Sequence, residues 1–167
     1  MKLLAFVLAA GLMFSATAAE FAKVDLEKVK NTIKQGQSVK AEIEKEIKKK
    51  EDDLKNEEKK IMKMREDFEK QSAVMADKAK REQEEKIQKA IMGVQQKYMQ
   101  YQGELQKLQE SKEGPILERL KEVIETVGKD AKVDIVFETQ STAILYARDI
   151  KDLTDDVIKA YDKKYKK

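Results

Sequence analysis

The amino-acid sequence predicts an α+β molecule: a small β-rich body, about three short strands plus helices, carrying a long antiparallel α-helical coiled-coil hairpin as an arm. Three observations predict it. From Glu27 to Lys112 the chain is rich in Lys, Glu and Gln, has no proline and only three glycines, and repeats a thin apolar stripe every seven residues. Short runs rich in β-branched residues flank this stretch, Phe21–Leu26 before it and Val133–Phe137 after it, so a helix that leaves the first must return to reach the second. Lastly, 40% charged and 6% aromatic residues in a chain of 167 leave little with which to fill a globular core, and favour elongated helix instead.

The same composition excludes most catalytic chemistry. There is no cysteine and no histidine, which removes thiol nucleophiles, imidazole bases, disulfides and most zinc or copper sites together. No glycine-rich phosphate loop or nucleophile elbow is present. Acid clusters such as Glu82, Glu84 and Glu85 read as the solvated face of a helix, supported by nearby lysines. No catalytic, metal or cofactor-binding residue is expected, and the chain does not read as an enzyme.

Taken in order, Met1–Ala18 has Lys2, an apolar run from Leu3 to Phe14 and the small residues Ala16 and Ala18, the pattern of a secretory signal peptide cleaved after Ala18, or after Ala19. The run is shorter than the roughly 20 residues a spanning helix needs. Losing Lys2 with this leader lowers the formal charge from +3 to +2. Phe21–Leu26 alternates, with Ala22, Val24 and Leu26 on one side, and reads as a strand with one buried face.

In the outgoing arm, Ile33, Lys40, Ile47, Leu54, Ile61, Phe68 and Met75 form a seven-residue series that is apolar except at Lys40. The companion series Gly36, Ile43, Lys50, Glu57, Met64 and Gln71 is mostly polar. A coiled-coil seam needs both series apolar, so this arm carries half a seam and is expected to be weakly packed. The returning arm steps by four and three without a break through Ile87, Ile91, Val94, Tyr98, Tyr101, Leu105 and Leu108. The turn is expected near 72–78, where Ser72 or Asp77 could cap the returning helix. Methionine suits a surface that must accept many apolar sequences, and the arm carries Met62, Met64, Met75, Met92 and Met99; Met64 and Met75 lie on the seam series, and Met62, with Phe68 and Val74 near the turn, is a candidate for exposure.

Glu113-Gly114-Pro115 predicts a kink or restart of the helix, followed by a wider apolar stripe, Ile116, Leu117, Leu120, Val123, Ile124 and Val127, where it enters the body; Gly128 is the expected C-cap. Val133–Phe137 and Thr142–Ala147 read as two strands able to pair as a hairpin. Thr154 is expected to N-cap a final helix whose first turn holds Asp155 and Asp156. The domain division is therefore a signal peptide over 1–18, a body formed by 19–26 and 113–167, and an arm over 27–112.

These pieces resemble the Skp/OmpH family of periplasmic chaperones. The likeness spans the mature chain and rests on the leader, the opening strand, the paired arms, Gly114-Pro115-Ile116-Leu117-Glu118-Arg119-Leu120, and above all Ile144-Leu145-Tyr146-Ala147 followed by Asp149-Ile150-Lys151-Asp152-Leu153-Thr154-Asp155-Asp156-Val157-Ile158-Lys159. The resemblance implies a homotrimer whose bodies join while three arms surround a cavity. Unfolded outer-membrane β-barrel proteins would be held there without ATP until insertion. On that reading Met62, Met64, Phe68, Val74 and Met75 are the candidate client contacts, and Val24, Val133, Ile135 and Phe137 the candidate body or trimer contacts. The alternative is a structural coiled-coil spacer or envelope adaptor. Contact with lipopolysaccharide or anionic lipid would be weak and salt-sensitive, because acids interleave Lys48–Lys50, Lys59, Lys60, Lys78, Lys80 and Arg81, and nucleic acid is no expected partner.

Overall fold

The computed structural model describes residues 19–141 and 144–166. The signal-peptide residues 1–18 lie outside the described residues. The elements are β1 (Phe21–Val24), α1 (Leu26–Thr32), α2 (Lys34–Gln71), a 3-10 turn (Ser72–Val74), α3 (Asp77–Asp130), β2 (Ile135–Glu138), β3 (Lys151–Asp152) and α4 (Thr154–Lys164). The architecture is α+β: a three-stranded sheet with order β2-β1-β3, both pairings parallel, and a long hairpin of α2 against α3.

Alternation in β1 sends Ala22 and Val24 inward, where both are buried, and leaves Phe21 on the opposite face. Ala22 pairs with Val136 and Lys23 with Phe137, so the two faces of the sheet continue across strands. The inner face packs on α1, α3 and α4 around Val29, Ile33, Ile116, Leu120, Val123, Val127, Leu153, Val157 and Tyr161. Truncating Ile116 or Leu120 to alanine would cost about 2–5 kcal/mol, because the cavity would be enclosed by three elements. The one buried phenol, Tyr161, donates to Gln35 Oε1 at 2.7 Å, and Arg119 Nη1 donates to the same oxygen at 2.9 Å.

The helical run does not start as one helix. At Ile33 the backbone is extended (φ −61°, ψ 143°), which ends α1 and lets α2 leave in a new direction. Ile33 itself is buried in the body core, so the first member of the arm's apolar series anchors the arm's root. The Lys34 N–H that this break exposes donates to Asp162 Oδ1 of α4 at 3.1 Å. The break is tight: a Cβ on Gly36 would sit 1.8 Å from the Lys30 carbonyl oxygen, so only glycine fits there.

The far turn lies at Ser72–Ala76, and neither expected cap forms. The Ser72 hydroxyl donates back to the Glu69 carbonyl, Ala76 stands at the N-cap of α3, and Asp77 is already its first helical residue. Pro115 does not restart the helix, since α3 runs unbroken from Asp77 to Asp130. Proline removes the bond to the Ser111 carbonyl four residues back. Ser111 and Pro115 are both exposed, so water can satisfy that oxygen while Ile116 and Leu120 hold the helix in the core.

Gly128 is likewise not the cap. It lies within α3 as a buried contact, where an added Cβ would meet Val136 Cγ2 at 3.3 Å. The helix ends two residues later in a Schellman arrangement: Lys132 takes φ 58°, its N–H donates to the Lys129 carbonyl at 3.1 Å, and Val133 N–H donates to the Gly128 carbonyl at 3.1 Å. Val133 therefore closes the helix, and the following strand starts only at Ile135.

Two further expectations at the C-terminal side are corrected. Thr142 and Ala143 lie outside the described residues, and Ile144–Ala147 form no strand and no hairpin with β2. The sheet is parallel throughout, and the strand that follows β2, Lys151–Asp152, joins the sheet on the far side of β1 and not as an antiparallel neighbour of β2. At α4, Thr154 does not cap its own helix. Its Oγ1 accepts the Asp25 N–H at 3.0 Å, and Asp152 Oδ1 accepts the Thr154 N–H at 3.0 Å in its stead.

Two substitutions test this backbone reading. Gly36→Ala should destabilise the protein by roughly 3 kcal/mol, since the backbone of α1 or α2 must move to admit the methyl group. Lys132→Gly should stabilise it by about 1 kcal/mol by relieving the left-handed conformation. Thermal melts followed by circular dichroism would show the first midpoint falling and the second rising.

Candidate functional site

Two regions offer surface beyond the closed core: the paired helices and the outer face of the sheet. In the paired helices the seam is not half empty. Ile43, Lys50, Leu54, Glu57, Ile61, Met64 and Phe68 of α2 are all half-buried, so members of both seven-residue series face α3, and the polar ones are paired there. Lys50 pairs with Glu104, Lys97 Nζ lies 2.5 Å from Asp53 Oδ2 and 3.8 Å from Glu57 Oε1, and Lys112 Nζ lies 2.6 Å from Glu42 Oε1. Nearer the body, Lys30 Nζ meets Glu113 Oε2 at 3.3 Å.

Tyr101 is the centre of this polar seam. Its hydroxyl donates to Asp53 Oδ2 at 2.6 Å, and the Lys50 ammonium lies 4.1 Å from its ring centroid. Hydrogen bonds from Lys97 and then Tyr101 hold the Asp53 carboxyl below its ordinary range, and the bond to Asp53 raises both Lys97 and Tyr101 above theirs. Hydrogen bonds from Lys50 and Gln100 likewise lower Glu104. Exposed pairs of this kind add little stability each, but they match only when the two helices are in one alignment. The cross-arm pairs among the described residues all lie between Lys30–Glu57 and Lys97–Glu113, from the root of the arm to a little past its middle. Beyond them the seam is apolar, with Ile61, Met64, Phe68 and Met75 half-buried and Ile87 buried.

Of the five residues singled out near the turn, Met62 and Val74 stand exposed (69% and 88%), while Met64, Phe68 and Met75 are half-buried in the seam. Met92 and Met99, which belong to the same set of arm methionines, are also exposed, and so are Ile47 and Tyr98, which the seven-residue spacing places on the seam. Met92 and Met99 fall off the four-three pattern of the returning helix, and that offset was the available signal. Tyr98 was placed on the seam but is 53% exposed; Tyr101 fills the crossing because its hydroxyl finds Asp53.

On the outer face of the sheet, Phe21 stacks on Phe137 with ring centroids 5.9 Å apart, and Ile135 is 45% exposed beside them. Ile144 and Tyr146 cross this face and line a shallow groove with the two phenylalanines. Leu145 is almost fully exposed. Val24, by contrast, is buried in the core, and Val133 packs against that core.

Among the described residues no group of acidic side chains is placed to hold a metal ion, and no helix is long and apolar enough to cross a membrane.

The family described as Outer membrane protein (OmpH-like) matches residues 20–161. A crystal structure of a Caulobacter crescentus protein, described as an OmpH-like outer membrane chaperone, superposes with a TM-score of 0.74 at 18% identity, covering 98% of this chain and 93% of that one. None of the curated proteins matches the chain.

The polar seam carries a pH prediction. Asp53 is held below its ordinary value of 3.8, so what it contributes is complete above that value and is lost as pH falls through the lower folded value. The melting temperature of the unmodified protein should therefore exceed that of Asp53→Asn at pH 7, and the gap should close by about pH 2. A gap that persists unchanged in acid would mean that the carboxylate's charge is not what the seam uses.

Proposed function

Because the chain belongs to the OmpH-like outer membrane protein family, a chaperone family and not an enzyme family, we propose that it is an ATP-independent periplasmic holdase. It keeps unfolded outer-membrane β-barrel proteins soluble between export and insertion. Residues 1–18 act as the signal peptide removed on export, 19–26 and 113–167 as the body, and 27–112 as the arm.

The observation that carries this reading is the distribution of exposed apolar side chains. The body closes its core around Val24, Leu120 and Tyr161, yet Met62, Val74, Met92, Tyr98 and Met99 remain exposed along the arm and at its turn. A surface of separated, flexible apolar groups binds weakly at each point and adapts to many sequences, which is what a holdase needs. Near the turn, Met62 and Val74 make direct client contacts, and Met64, Phe68 and Met75 become available when the two helices part.

The protein works as a homotrimer joined through the bodies. In support, Ile135 and Phe137 stand on the outer face of the sheet with Phe21, an apolar patch in which Phe21 and Ile135 are exposed, and Tyr146 adds to it. Val24 and Val133 serve the body's own core beneath that face. Three arms around one client multiply weak contacts into useful retention. Contact with lipopolysaccharide is at most weak, since the arm's lysines are balanced by acids.

Two measurements test the proposal. Sedimentation of the mature protein should give an elongated particle of three chains, and a compact monomer would contradict the assembly. At stoichiometric trimer, the protein should suppress aggregation of an outer-membrane β-barrel protein diluted from urea, with no nucleotide added. Selective binding of one folded partner, with no such suppression, would identify a spacer or adaptor instead.

A further inference from the structure

The two helices of the arm differ in charge far more than their shared composition suggests. Twelve of the seventeen residues Glu46–Met62 on α2 are charged; in the antiparallel partner stretch Ala90–Gln106 of α3 only Lys97 and Glu104 are. Both of those are spent on the seam, Lys97 on Asp53 and Glu57, and Glu104 on Lys50. At 100° per residue, Met92, Gln96, Met99 and Gly103 fall on the side of α3 opposite the seam residues Val94, Tyr101 and Leu105. All four are exposed, and a Cβ on Gly103 would meet nothing within 4 Å. The result is a stripe of Met, Gln and Gly without formal charge, in a chain that is 40% charged.

Solubility does not account for this stripe, because the neighbouring helix shows how the same arm is solvated with lysine and glutamate. Intramolecular packing accounts for little of it either: Met99 borders a groove with Leu54 and Glu58 of α2 and is still 68% exposed, and Met92, Gln96 and Gly103 are exposed beside it. We propose that the outward face of α3 from Met92 to Gly103 is the principal client-contact surface, and that its partner is an uncharged extended polypeptide segment. The proposal rests on the holdase reading above and locates its site mid-arm, on one helix, separately from the turn.

The chemistry selects that occupant. Gln96 and its neighbouring glutamines each offer a donor and an acceptor, matching an extended backbone whose N–H and C=O groups are unpaired. Met92 and Met99 adapt to whichever apolar side chains alternate along that backbone. Gly103 leaves room for a backbone to lie close. A second copy's charged α2 is the wrong partner, because its lysines and glutamates would lose water against a stripe that offers them no counter-charge. Binding to the stripe should consequently depend little on salt.

The test compares two double variants of the full chain with the same change in charge. Gln96→Glu/Met99→Glu charges the stripe, and Lys55→Gln/Lys59→Gln alters exposed, unpaired positions on α2. Helicity of each is checked by circular dichroism, and affinity for a urea-unfolded β-barrel protein is measured by retention in solution. Expected are at least a tenfold weaker affinity for the stripe variant, less than a twofold change for the α2 variant, and retention by the unmodified protein that survives about 0.5 M salt. Equal retention by both variants, or a tenfold loss with salt, would overturn the stripe while leaving the holdase reading intact. Failure of the unmodified protein to retain the client would overturn both. A photo-crosslinker at position 96 covers the case in which the charged variant loses helicity: capture of client supports the proposal, and capture only of another copy overturns it.

Discussion

One helix belongs to both halves of the molecule, and the rest of the structure is arranged to permit that. The C-terminal part of α3 supplies Ile116, Leu120, Val123 and Val127 to the body core, while its N-terminal part lies against α2 as the returning arm. An α-helix of 54 residues is about 81 Å long at 1.5 Å per residue, far beyond what the body can cover. The arm is thus rigidly rooted on one side and tied on the other by the break at Ile33, where Gly36 admits the Lys30 carbonyl. Bending has to occur along the helices, since no flexible linker separates arm from body.

This constraint explains why the seam changes character along its length. From the root to the middle of the arm, cross-arm ion pairs and the Tyr101–Asp53 bond set the alignment of α2 against α3. Past Lys97 toward the turn, alignment depends on Met64, Phe68 and Ile87, apolar contacts that tolerate sliding and repacking. A defined root and an adaptable end are compatible with one continuous backbone. They let the arm keep its direction while its surface adjusts to what it touches.

Much of this was legible in the sequence, for reasons tied to particular residues. Ala22 and Val24 alternate with polar neighbours, so β1 and its buried face could be read directly. The seam residues of α3 were recoverable because heptad spacing is a property of one helix alone. What escaped reading depended on contacts between distant segments. Ile33 looks like one more seam residue until α4 and α3 close over it, and Thr154 looks like a cap until the Asp25 N–H claims its hydroxyl. Gly128 suits a helix end, but Val136 needs its missing side chain, and the left-handed residue is Lys132. Ile144–Ala147 has strand composition without a strand partner in the single chain, which periodicity cannot reveal. At the site, the paired ions were hidden because Lys50 and Glu57 look like failures of the heptad until their partners on α3 are known.

The account's central claim is that the arms, and not the body, hold the client. Hydrogen–deuterium exchange of the protein, alone and with an unfolded β-barrel precursor, tests this most directly because it reports every backbone segment at once. The account predicts slower exchange along α2 and α3 between Glu46 and Gln106 with the precursor present, and no change in β1, β2 and α4. Protection confined to the body, with the arms unaltered, would contradict it.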